Sequence, residues 1–340
     1  MRISQRGTSF AAVATATYTL DRWKYVKSGA MVHTITQDTD VPTLSESGYL
    51  FQNSLRLNLT TPDTAIAAGD FALVQQPIEG FNWTNLAQKY FVISFWVKAT
   101  ATGIYTIGLQ NSGVDRAYVG EYTINTTNTW EYKSVLVSPS PSAGTWNYTN
   151  GVGLYVQWVL AAGTTFQTTA GAWQTGDFFS SANQVNGVNT GATDFRVTGV
   201  MINEGIVAAP FKLFGESIGG ELEACQRYYE KSYELTTTPG TNTSTNRLLS
   251  VGILTNSTTG DLAWATFLTP KRTAPTMLFW TTSGTLGSWQ WIGAGGFSQT
   301  AAIAVEAATH GFSIETTGLS GATSGQPVSG TGHYEAGCEL

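Results

Sequence analysis

The chain has 340 residues, 17 basic and 23 acidic, for a net charge of −6, and only 12% of residues are charged. The absence of any basic cluster excludes phosphate-neutralising nucleic-acid binding, and no apolar run reaches the ~18 residues of a membrane span. With 42% hydrophobic residues the chain can build cores, which excludes a disordered polypeptide. Solubility rests instead on hydroxyls and amides: there are 51 threonines and 37 glycines, among 41 aromatic residues. That mixture of Thr and aromatics points to β-structure with polar faces. Residues 1–10 are polar and lack the apolar segment of a secretory signal. Cys225 and Cys338, 113 residues apart, are therefore expected as reduced thiols of a protein made in a cytoplasm.

From Tyr18 to Phe211, short β-type runs alternate with Gly, Asn, Ser and Pro clusters every eight to twelve residues, the spacing of a sandwich or barrel. The clearest run is 90–98, where Phe91, Ile93, Phe95 and Val97 share one face and Val92, Ser94, Trp96 and Lys98 the other. Further strands are expected at Gly103–Leu109, Arg116–Ile124, Trp130–Val137, Gly153–Leu160 and Asp194–Asn203. Asn111-Ser-Gly113 and Asn150-Gly151 between them are turn chemistry. Gly220–Lys231 has good helix formers with acids in its first turn, and Leu222, Cys225, Tyr228 and Tyr229 form one stripe. A buried, inert Cys225 follows from that stripe. A polar loop occupies 237–246, and a second β-rich region runs from Arg247 to Leu340. The expected fold is all-β: an N-terminal jelly-roll β-sandwich over 1–212, a junction with a short helix over 213–235, and a C-terminal β-sandwich over 236–340.

Chemistry motifs are few. Gly215-Glu-Ser-Ile-Gly219 has the spacing of a nucleophile elbow, but the α/β alternation that such an elbow needs is missing around it, so a flexible junction is the better reading. His33, His310 and His333 are isolated, and no spacing fits a site built on imidazole or thiolate. A structural Ca²⁺ held by loop oxygens leaves little trace in a sequence; Asp38-Thr-Asp40 is the one suggestive pair, and it reads better as a solvated turn. Acceptor sequons at Asn58, Asn82, Asn125 and Asn256 follow from the Asn- and Thr-rich composition. No catalytic residue is assigned, and no cofactor is expected.

The eleven tryptophans carry more information. Trp158 shares a face with Leu154, Val156 and Leu160, which makes it a core residue, whereas Trp96 shares its face with Ser94 and Lys98. Trp130, Trp146 and Trp173 lie among Gly, Thr and Asn. Rings flanked by amides and hydroxyls can stack on the C–H faces of sugars while polar groups bond the hydroxyls. Packing under loops or at a subunit interface is the competing use.

Ordered segments along the chain resemble tail-fibre and related receptor-binding virion proteins of tailed bacteriophages. They begin with Gln5-Arg-Gly-Thr-Ser-Phe10 and Tyr18-Thr-Leu-Asp-Arg-Trp23, then Gln75–Gly80, Phe95–Ala99, Asn111–Gly113 and Arg116–Val119. Trp130–Tyr132, Gly144–Asn147, Trp173 with Gly176, and Phe195–Val200 continue the series. Glu221–Lys231 is the most specific piece, followed by Phe267, Lys271-Arg272, Pro275-Thr276 and Ala336–Leu340. The resemblance implies a jelly roll like a carbohydrate-binding module, a C-terminal β-domain, and assembly into the exterior of a virion, usually as a homotrimer beside other virion proteins. It implies no catalytic residues. Here the Gln-Arg-Gly segment begins at residue 5, where longer relatives carry a shaft or attachment region first, so a distal tip or a head or tail decoration is an alternative to a whole fibre. The candidate residues for a host-surface glycan are Trp96, Arg116, Tyr118, Trp130, Trp146 and Trp173. A purely structural virion role and a polysaccharide-modifying enzyme are the competing readings.

Overall fold

Phe91, Ile93, Phe95 and Val97 repeat with the two-residue period of an extended strand, and in the computed structural model all four point into one hydrophobic core. The structure describes residues 1–191, 193–254, 260–262, 265–293, 298–301, 303–316 and 323–340. They form two units: Met1–Ser4, Thr8–Leu213 and Leu340 make the first, and Gln5–Gly7 with Phe214–Glu339 make the second.

The first unit is a jelly-roll β-sandwich. Its early strands are β1 (Ser9–Phe10), β2 (Thr17–Tyr18), β3 (Lys24–Ser28), β4 (Val32–Asp38), β5 (Ser54–Thr61) and β6 (Phe71–Glu79). Two short helices intervene, α1 (Leu44–Ser47) and α2 (Gly80–Trp83). Next come β7 (Phe91–Ala99), β8 (Gly103–Asn111), β9 (Arg116–Ile124) and β10 (Glu131–Val137). The series closes with β11 (Val152–Ala162), β12 (Trp173–Thr175) and β13 (Asp194–Glu204). One layer runs β1-β4-β5-β13-β7-β10 and the other β12-β9-β8-β11-β6-β3-β2. Neighbours are mostly non-consecutive because the chain passes back and forth between layers, as a jelly roll requires. Leu55, Leu57, Phe95 and Val197 from the first layer meet Tyr25, Val74, Ile107 and Trp158 from the second. Trp158 lies at the centre, its ring 5.1 Å from Trp23 and 5.6 Å from the edge of Phe95. The strand expected at Arg116–Ile124 is β9, and those expected at 103–109, 130–137, 153–160 and 194–203 are β8, β10, β11 and β13 with ends shifted by one or two residues.

In the second unit α3 (Ile218–Gln226) leads into β14 (Tyr229–Lys231), β15 (Leu248–Leu254), β16 (Gly260–Leu262), β17 (Ala265–Thr266) and β18 (Thr276–Trp280). They are followed by β19 (Trp289–Gly293), β20 (Ser298–Ala301), β21 (Ile303–Ala307), β22 (Gly311–Thr316) and β23 (Pro327–Gly337). β23 organises the unit. Its first half pairs with β15 and β19, its second with β18 and β14, so one strand serves two layers of a sandwich. Gly332 sits at the change-over, where a Cβ would lie 2.6 Å from the Trp280 carbonyl oxygen and 2.7 Å from the Trp289 ring. Phe267, Phe279, Trp289, Trp291, Phe312 and Tyr334 fill the space between the layers. Asn256 lies outside the described residues.

The helix expected over Gly220–Lys231 ends at Gln226, five residues early. Tyr229–Lys231 instead pairs antiparallel with Glu335–Gly337. Local propensity favours helix through this segment, but burying Tyr228 and Tyr229 against the terminal strand outweighs it. Cys225 is accordingly half-buried rather than a core residue, and Cys338 is the buried thiol. A fully buried ion pair locks the same region. Lys271 Nζ donates to a Glu230 carboxylate oxygen at 2.7 Å and to the carbonyls of Gln226 and Thr269, while Glu230 also accepts from Tyr334 Oη and the backbone N–H of Leu268. Lys271 and Glu230 thus each have partners beyond one another, the condition under which a buried pair is tolerated.

Candidate functional site

Strand parity places Val92, Ser94, Trp96 and Lys98 on the outer face of the six-stranded layer. Register then puts Trp96 opposite Tyr132 of β10 and Thr198 of β13, and Ser94 opposite Ser134. The Trp96 and Tyr132 rings are 5.5 Å apart, and Tyr132 is 46% exposed. These two rings form one wall of a cleft of about 380 Å³, within the size range of small-molecule sites. The opposite wall is a mutually packed trio, Tyr49, Phe51 and Phe211, with ring centroids 4.8 to 5.1 Å apart. The Arg2 guanidinium lies 5.9 Å from the Tyr49 ring. Ser47, Ser94 and Glu46 supply polar groups to the lining.

Two backbone devices hold the cleft open. Gly199 occupies an irregularity in β13 with φ of 59°, and a Cβ there would strike the Phe51 ring at 2.6 Å and Trp96 at 3.2 Å. At the rim, Thr43 caps α1: its hydroxyl accepts from Glu46 N while the Glu46 carboxylate accepts from Thr43 N at 2.7 Å. Those Thr43 hydrogen bonds hold the Glu46 carboxyl below the usual range, so the rim carries a negative charge near neutral pH.

Beside the cleft the same outer face concentrates charge in a chain that has little. Arg56 donates to both oxygens of Asp194 at 3.0 Å, and Arg196 reaches Asp194, Asp38 and Asp40. Lys98 Nζ lies 2.8 Å from Asp40, whose other oxygen accepts from Trp130 Nε1 at 2.9 Å. Burial would raise the Asp40 carboxyl, but hydrogen bonds from Lys98 and Trp130 and the nearby Lys98 and Arg196 charges bring it below the usual range. The pair Asp38/Asp40 is thus not a solvated turn; its carboxylates are held by three cations and an indole. Among the described residues no group of three or more carboxylate, imidazole or thiol side chains is arranged to hold a metal ion.

The six candidate residues fall into two groups. Trp96 and Trp130 belong to the outer face just described, with Trp96 half-buried in the cleft wall and Trp130 only 9% exposed over Asp40. Tyr118, Trp146 and Trp173 come together elsewhere, at an edge of the sandwich core. Trp146 stacks on buried Trp83 at 5.4 Å and meets Trp173 edge-on, and Trp173 in turn touches Tyr118. Their polar atoms are taken up internally, Tyr118 Oη by the Leu136 carbonyl and Trp173 Nε1 by that of Ser138. Arg116 adjoins this group and donates to the Asp115 carbonyl. The turn Asn111–Arg116 positions Trp146 from below: Asn111 Oδ1 accepts from the backbone of Asp115 and Arg116, and the Asp115 carboxylate accepts from Thr145 N. Four of the cleft's five rings were not singled out in the sequence. Tyr132 has a signal there, an outward parity on an alternating strand, whereas Tyr49, Phe51 and Phe211 lie in loops with no period to mark them.

The Gly215–Gly219 motif has a structural use. Ser217 Oγ accepts from Gly220 N at 3.1 Å as the N-cap of α3, and the positive φ belongs to Glu216, not to the serine. His310 bonds Thr309, and His333 is held between Ser232 and the Thr243 carbonyl.

No protein-family model matches the sequence, and no curated protein matches it. Several solved structures share a distant likeness. One described as CBM4 structure and function is 12% identical, covers 59% of this chain and 97% of its own, and has a TM-score of 0.30. TmCBM61 in complex with β-1,4-galactotriose is 9% identical over 54% of this chain and 88% of its own, with a TM-score of 0.27. The CBM22-1–GH10 modules of Clostridium thermocellum endo-1,4-β-D-xylanase 10B with xylohexaose are 13% identical over 62% of this chain and 30% of their own, at 0.28. Scores this low leave both fold and ligand to be read from the chain's own residues.

Proposed function

We propose that this chain is an exterior virion protein of a tailed bacteriophage, made in the bacterial cytoplasm and assembled as a homotrimer beside other virion proteins, that binds host-surface glycans during adsorption. The observation that carries the binding role is the cleft on the six-stranded layer, lined by Trp96, Tyr132 and Ser94 and by a second aromatic wall of Tyr49, Phe51 and Phe211. Stacking on sugar C–H faces needs such rings, and orientation of the sugar needs the serines and Glu46 at the rim. Trp96 and Tyr132 are the binding platform in this reading. Trp130 steadies it through Asp40 and Lys98, and Tyr118, Trp146 and Trp173 hold the sandwich edge together. The virion assignment rests on the ordered segments that resemble tail-fibre proteins.

A glycan array probed with the full chain tests the binding role. Binding that falls at least tenfold in both Trp96→Ala and Tyr132→Ala, and not in Trp173→Ala with its fold intact, supports it; an assembled preparation that binds nothing refutes it. Ser217 serves α3, so the Gly215–Gly219 motif lends no support to a polysaccharide-modifying enzyme. A purely structural virion role is separated by locating the chain in the particle, since a position away from the host-facing end speaks against adsorption.

A further inference from the structure

β15 breaks the rule that its own alternation sets up. Its residues alternate in exposure, but the side turned outward carries Leu249, Val251 and Ile253, exposed by 63%, 70% and 60%. Register extends the stripe sideways: Val251 stands opposite Ser329 of β23, which stands opposite Ile292 of β19, itself 46% exposed. Leu249, Thr331 and Gln290 form the next row, and Ile253 lies opposite the exposed Pro327. The rows of Leu249 and Val251 include no charged side chain where these three strands pair, whereas Asp261 of β16 stands opposite Ile253 with Glu315 of β22 behind it, and Glu335 lies in the later half of β23. Soluble proteins do not ordinarily turn a row of adjoining aliphatic strand residues to water.

We propose that this β15–β23–β19 face is where copies of this chain meet one another. An aqueous-facing partner with charged side chains would have to desolvate them against leucine, valine and isoleucine, at a cost of several kcal/mol each. A second copy brings the same aliphatic and hydroxyl rows, and along Leu249, Val251 and Ile292 it has no charge to desolvate. Each of the four aliphatic side chains leaves roughly 100 Å² open, so on the order of 400 Å² per copy is apolar, about half of the ~800 Å² per partner in a standard interface. The interleaved Ser329 and Gln290 supply polar groups to such a contact, and exposed Pro327 adds apolar surface beside Ile253. This assignment stands independently of the glycan cleft, which belongs to the other unit.

Light scattering after size exclusion, on the full chain at micromolar concentration, decides it. The wild-type chain is expected to run at a multiple of its monomer mass, and Val251→Lys with Leu249→Lys at the monomer mass with an unchanged far-UV spectrum. Leu286→Lys introduces the same charge at a residue 58% exposed outside this face, and it is expected to keep the wild-type mass. A monomeric wild-type chain, a double variant that retains the wild-type mass, or a Leu286→Lys chain that also dissociates would each overturn the assignment.

Discussion

Trp96 is left half-open because it occupies the outward parity of β7, while its neighbours Phe95 and Val97 fill the core. The same parity rule, applied to β4, puts His33 inside. That imidazole is 1% exposed and shares a 2.6 Å hydrogen bond with Tyr25 Oη. Burial, helped by the Lys27 charge, pulls its pKa down to about 4 from an ordinary 6.5. Between those values the unfolded chain binds a proton that the folded one refuses. The stability His33 contributes is therefore full above pH 6.5 and is lost as the pH falls toward 4, by roughly 3 kcal/mol. Urea midpoints measured from pH 7 to 4 are expected to drop more steeply for the wild-type chain than for His33→Gln; parallel curves would remove His33 as the cause. Nothing in the sequence around His33 separates it from His310 beyond strand parity, and parity was the legible part. The proton-refusing environment comes from burial between the layers and from the Lys27 charge.

At the scale of elements, the strands of the first unit were legible nearly to the residue because each is bounded by turn residues and alternates over its length. The segment 218–231 was not. Its composition is helical throughout, yet it divides into α3 and β14 because Tyr229–Lys231 has a strand to pair with, supplied from residues 335–337. No local signal encodes a partner a hundred residues away. Ser217 belongs to this element as its cap, and Ser217→Ala is expected to lower stability by about 1 kcal/mol through loss of the bond to Gly220 N. Thermal melts measure that loss, and glycan binding by the same variant should match wild type. A binding defect without a melting shift would return the serine to the functional site.

For the molecule as a whole, the second unit is closed by segments far apart in the sequence. Gln5–Gly7 belongs to that unit although the residues on either side of it belong to the first. Gln5 Nε2 donates to the Tyr229 carbonyl at 2.8 Å, Arg6 lies 3.6 Å from the Tyr229 ring centroid, and its guanidinium pairs with Glu339 at 3.1 Å. Arg272 in turn donates to the carbonyls of Cys338 and Glu339. Segments from the start, middle and end of the sequence thus converge beside the buried Lys271–Glu230 pair and close this unit. Gln5 is 2% exposed, and Gln5→Ala is expected to cost on the order of 1–3 kcal/mol by leaving the Tyr229 carbonyl without that donor. The loss should appear in the transition that Trp289 and Trp291 fluorescence reports; an unaltered midpoint would mean that the N-terminal segment contributes nothing to this unit.

The sequence by itself determined the all-β class, the strand boundaries of the first unit and the apolar side of each strand, because a two-residue period and turn chemistry are local properties of the chain. Only the tertiary structure decided which outward ring became a site. Trp96 and Trp130 share one face, but Trp96 alone gains an opposing wall, since Tyr49, Phe51 and Phe211 arrive from loops whose only common property is where the sandwich brings them. Likewise the open face of β15 could be recognised only once its neighbours were known. An aliphatic residue that alternates outward becomes conspicuous when the strands paired with it extend the same uncharged row, as Ser329 and Ile292 do for Val251.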